Sequence, residues 1–86
     1  MISLSGPTRA QRGTSYCVNV SNVTGNISVK AYVGGTVVNV TITQNTVKQT
    51  ATICLVVPKG ASGGVEILAT QSGSSDYVSH NALISK

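Results

Sequence analysis

The chain has 86 residues, with six Lys and Arg against two Asp and Glu for a net charge of +4, and three tyrosines as its only aromatic side chains. That length leaves room for one domain and one core, which excludes a two-domain enzyme. With neither Phe nor Trp, the interior must be built from Val, Ile, Leu and Ala, a composition that suits sheets better than helices.

Apolar residues recur with period two in short runs closed by glycine, proline or Asn/Ser/Thr turns, the pattern of strands with one buried face. The first run is Ile2 to Ser5, closed by Gly6-Pro7. Gly13 opens a second over Thr14 to Ser21, and Thr24-Gly25-Asn26 opens a third over Ile27 to Val33, ended by Gly34-Gly35. Thr36 to Thr43, Gln49 to Val57, Val65 to Gln71 and Tyr77 to Ser85 follow, joined by segments rich in turn-forming residues. Seven antiparallel strands in two sheets are therefore expected. Tyr16, Val18, Val20, Val29, Ala31, Val40, Ile42, Ile53, Leu55, Ile67 and Ala69 are the inward members. The last run is ambiguous, because Val78, Ala82 and Ile84 compete with the opposite set containing Tyr77 and Leu83.

No stretch approaches the ~20 apolar residues of a membrane helix, and Met1 to Pro7 lack the basic start and apolar run of a secretory signal. The expectation is a soluble chain without membrane insertion, made in a cytoplasm or cut from something longer. The cations Arg9, Arg12, Lys30, Lys48, Lys59 and Lys86 are scattered singly, without the clusters and interleaved aromatics of a nucleic-acid surface. Nucleic acid is therefore not an expected partner, whereas an anionic polysaccharide fits a positive balance.

Candidate chemistry is sparse. Cys17 and Cys54 fall on the outward parity of two runs that lie side by side in such a fold, so both sulfurs belong to one outer face. They are either free thiols, which a reducing cytoplasm favours, or a cross-strand disulfide. No second Cys or His pair stands near them to complete a metal site. Asn19, Asn22, Asn26 and Asn39 each begin an Asn-x-Ser/Thr triplet, which strand faces made of Asn, Ser and Thr also generate by chance. His80 lies near Asp76 and Ser79, but adjacent strand residues point to opposite faces and no nucleophile elbow is present. Gly34-Gly35 and Gly63-Gly64 lead into strands rather than into a helix that could hold a phosphate. The expectation is a protein that is not an enzyme and needs no cofactor.

Leu55-Val56-Val57-Pro58, a Gly-rich turn and Val65 to Thr70 resemble the passage between the fifth and sixth strands of bacterial and phage immunoglobulin-like modules. Ile2 to Pro7 with Gly13 resembles their start, and the two pieces cover about half the chain. In size and style the match is to the outward-facing immunoglobulin-like domain of T5-like phage capsid decoration proteins. The missing tryptophan separates it from antibody-type domains. The resemblance implies a seven-stranded immunoglobulin-like β-sandwich spanning residues 1–86, a fragment of a longer chain, displayed on the outer surface of a virion and, in isolation, a monomer. The major capsid protein would be held by the rest of the parent chain. Arg9, Arg12, Lys59 and Lys86 would share the outward pole as contacts for anionic bacterial glycans. The alternative is a spacer or carbohydrate-binding repeat of a bacterial adhesin or secreted enzyme, on a cell surface or outside the cell.

Overall fold

The computed structural model describes residues 2–85, which form strands, turns and loops and no helix. Nine strands follow in chain order: β1 (Ser3–Ser5), β2 (Arg9–Gln11), β3 (Ser15–Ser21), β4 (Ile27–Val33), β5 (Thr36–Val38), β6 (Thr41–Asn45), β7 (Thr50–Val56), β8 (Gly64–Gln71) and β9 (Val78–Ser85). They make a four-stranded sheet ordered β1-β3-β7-β6 and a five-stranded sheet ordered β2-β9-β8-β4-β5.

One of the expected seven strands divides and one unexpected strand is added, which brings the count to nine among the described residues. The run over Thr36 to Thr43 breaks at Asn39-Val40, so β5 pairs with β4 in one sheet while β6 pairs with β7 in the other. Beyond Gly6-Pro7 the chain forms a further strand that the sequence reading does not contain, β2, which pairs not with β3, the partner of β1, but with β9. That β2–β9 pair is parallel, a correction to the wholly antiparallel arrangement expected.

The alternating runs bury the faces that their periodicity assigns. Along β3, Tyr16, Val18 and Val20 are buried between exposed neighbours; on β7 Ala51, Ile53 and Leu55 are buried, and on β8 Val65, Ile67 and Ala69. These side chains, with Ile2, Ala10, Val23, Ile27, Ala31, Val33, Val57 and Ala82, form one cluster between the sheets. At roughly 1.5 to 3 kcal/mol for each large aliphatic side chain buried, this cluster is the main source of stability. Val29 and Val40 are half-buried against it. Ile42 differs from expectation: it has the inward parity but is 36% exposed, because β6 is an edge strand. On β9 the ambiguity resolves in favour of Val78, Ala82 and Ile84, while Leu83 and Tyr77 face solvent.

Glycine is required at the β4–β5 turn. Gly34 has φ +58°, and a Cβ there would lie 2.6 Å from the backbone oxygen of Ser62. The turn can pack against the β7–β8 loop only because no side chain intervenes.

Candidate functional site

Sequence reasoning singles out two features, a basic pole and a cysteine pair. The basic pole forms where the turn after β2 meets the loop between β7 and β8. The amide of Gly13 donates to the carbonyl of Val57 at 2.7 Å, and Arg12, half-buried, donates through Nε to the carbonyl of Ala61. The Lys59 stem runs over Gly13, where a Cβ would stand 3.3 Å from its Cγ. Arg12 and Lys59 therefore meet at one end of the molecule, but they do different work. Arg12 braces a loop, whereas Lys59 is exposed.

Arg9 lies exposed on the outer face of β2, opposite Leu83 of β9. It contributes with Thr8, Asn81 and Leu83 to a shallow depression of about 290 Å³. Lys86, the fourth cation assigned to this pole, lies outside the described residues. Glu66 is on β8 and Asp76 is in the β8–β9 loop.

Cys17 and Cys54 are opposite each other on β3 and β7 with Cα atoms 4.1 Å apart, and their sulfurs are bonded. The shared outer face expected of them is observed; the free thiols that a reducing cytoplasm favoured are corrected to a disulfide. Its position follows from the ladder. Val57 donates to the carbonyl of Thr14 at 2.9 Å, so by alternation the Cys17–Cys54 pair is one of the closely apposed, non-hydrogen-bonded pairs. The bond links the two central strands of the four-stranded sheet from its solvent side.

At the opposite pole a cavity of about 310 Å³ is lined by Val23, Thr24, Gly25, Asn26, Gln44 and Gln49, among others. Its walls carry no charge. Two glutamines shape it: Gln44 accepts from the amide of Ile27 and donates to the carbonyl of Gly25, and Gln71 accepts from the amide of Thr24. Among the described residues Asn22 and Gln49, at φ 61° and 57°, are the two non-glycine residues with left-handed backbone, and the amide of Val23 donates to the carbonyl of Gln49. Sequence reasoning misses this cavity. Asn22 offers a signal, since Asn tolerates that conformation, but nothing marks Gln49.

The remaining polar groups serve the fold. Tyr16 and His80, from facing sheets, both meet the carbonyl of Pro7 at the point where the chain crosses between sheets. Burial pushes the Tyr16 hydroxyl above the usual phenol range. Among the described residues no three His, Cys, Asp or Glu side chains gather where they could hold a metal ion. Asn19, Asn22, Asn26 and Asn39 are all exposed. Comparison with the models of known protein families and with curated proteins finds no match to this chain.

Proposed function

We propose that this chain is an immunoglobulin-like display domain of a phage capsid decoration protein, without enzymatic activity, that adheres weakly to anionic bacterial surface glycans. The observation that carries the reading is strand order. With the short edge strands β2 and β5 set aside, β1-β3-β7-β6 matches the A-B-E-D order of that fold and β9-β8-β4 its G-F-C order. The rest of the parent chain would hold the major capsid protein, and the basic pole would face outward from the particle.

Adhesion through this pole is electrostatic. Arg9 and Lys59 are exposed and free to reach a phosphate or carboxylate group, and each contact in water contributes at most about 1 kcal/mol, screened over roughly 8 Å at physiological salt. Many copies on one particle convert such weak contacts into avidity.

The test is adhesion of clustered domains to Gram-negative cells at low and physiological salt. Arg9→Gln with Lys59→Gln is the informative variant, because Arg12 also holds the loop at Ala61. Adhesion should fall in the variant and fall with salt in the parent; adhesion unchanged by both would overturn the reading.

The disulfide favours a second reading, a repeat of a bacterial adhesin or secreted enzyme. Such a bond persists in oxidising compartments and is rare in the cytosol. A parent chain with tandem copies of this domain, rather than a capsid-binding segment, would decide for it.

A further inference from the structure

Each sheet ends in two edge strands, whose outward backbone groups are a template for another strand unless something guards them. Three of the four edges are three residues long: β1, β2 and β5. Gly6-Pro7 terminates β1, and β2 carries Arg9 with Arg12 just beyond it. The fourth, β6, is five residues long and exposed throughout. It sits in a stretch, Thr36 to Val47, that contains no charged residue, no proline and no glycine.

The ladder shows which groups of β6 are open. Because Val57 donates to Thr14 one residue beyond the Ser15–Val56 pair that ends the β3–β7 ladder, alternation turns the backbone groups of Ile53 and Leu55 toward β3 and those of Thr52 and Cys54 toward β6. Thr52 meets Thr43 and Cys54 meets Thr41. Ile42 and Gln44 therefore direct their amides and carbonyls away from the sheet, and among the described residues no backbone hydrogen bond reaches them.

We propose that β6 is a self-association edge, pairing antiparallel with β6 of a second copy of this chain about a two-fold axis at Thr43. In that register Ile42 lies opposite Gln44 of the second copy and Gln44 opposite its Ile42. Each of these pairs exchanges two N–H to carbonyl bonds, which are the groups left open. Thr43 faces its own equivalent in the non-hydrogen-bonded position between them. The two four-stranded sheets become one continuous sheet.

Three features select a second copy as the occupant. Only another β6 offers an unguarded edge of the same length among the described residues. The isologous pairing brings no like charges together, since β6 carries no charged residue and the nearest one, Lys48, lies in the turn beyond its end. The partly exposed Ile42 gains cover from the second copy, on the side where its own sheet ends.

Sedimentation equilibrium of the 86-residue chain tests this. The contact is smaller than a standard interface, so a monomer–dimer equilibrium with Kd between about 10 µM and 1 mM is expected. Thr43 is exposed and lies on the outer face, so Thr43→Lys or Thr43→Glu leaves the core intact but sets like charges face to face on the axis. Each variant alone should weaken association by about tenfold or more. An equimolar mixture of the two should restore it as a heterodimer, a rescue that a misfolded variant cannot show. A parent chain that stays monomeric at about 1 mM, a Thr43→Lys chain that associates like the parent, or a mixture no stronger than its components would each overturn the proposal.

Discussion

The two sheets share one core but present opposite outer faces. The four-stranded sheet shows solvent Ser3, Ser5, Asn19, Ser21, Thr43 and Thr52, with no charged side chain, and holds this face by short polar contacts. Ser3 and Ser21 hydroxyls meet at 2.6 Å, and Thr52 donates to Asn19 at 3.4 Å. The five-stranded sheet shows Arg9, Lys30, Tyr32 and Glu66, with Lys30 Nζ 5.9 Å from the centre of the Tyr77 ring. The two faces draw their strength from different sources. Neutral hydroxyl and amide pairs contribute little beyond what water already supplies, and the covalent link lies in that sheet, across its two central strands.

Removing the link should therefore cost the fold more than any change to the polar contacts around it. The disulfide closes a sequence separation of 37 residues, for which loop-closure entropy gives a loss of about 4 kcal/mol on replacing both cysteines with serine. Urea denaturation of parent and double variant measures it. A loss below about 1 kcal/mol, the range of ordinary surface substitutions, would show that the hydroxyl-rich sheet needs no covalent support.

A smaller effect is expected where the two sheets meet. Tyr16 reaches from β3 to the Pro7 carbonyl, which His80 of β9 also contacts. Tyr16→Phe should cost about 1 kcal/mol at neutral pH, the worth of one hydrogen bond. It should also change the alkaline limb. Desolvation raises the Tyr16 pKa in the folded state above its unfolded value of 10.0, so its contribution is complete below about pH 10 and is lost as the pH climbs through the raised value. Thermal unfolding from pH 9 to 12 should fall less steeply for Tyr16→Phe than for the parent; equal slopes would show that the hydroxyl is not held neutral by the fold.

Much of this architecture is legible in the residues, and its gaps have physical causes. Alternation marks β3, β4, β7 and most of β8, since a one-residue slip would expose a whole apolar set. The second edge strand, Arg9–Gln11, contains a single apolar residue, Ala10, and three residues are too few to show a period. The break at Asn39-Val40 is hidden because Val37 to Thr43 reads as one β-prone run without glycine or proline. Ile42 has the correct parity but too little cover, which depends on sheet order rather than on its own strand. For the candidate sites, the shared face of Cys17 and Cys54 follows from periodicity, while their bond depends on a register between distant strands that periodicity does not specify. The convergence of Arg12 with Ala61, and the polar cavity shaped by Gln44, depend on loops whose paths no local pattern encodes.

The register that pairs Cys17 with Cys54 underlies the sheet order, the outer faces and the open groups of β6. Alkylation of the denatured chain without reductant, after isolation from an oxidising medium, followed by peptide mass analysis, tests it most directly. No alkylated cysteine and one peptide pair joined through Cys17 and Cys54 are expected; alkylation at both positions would overturn the pairing.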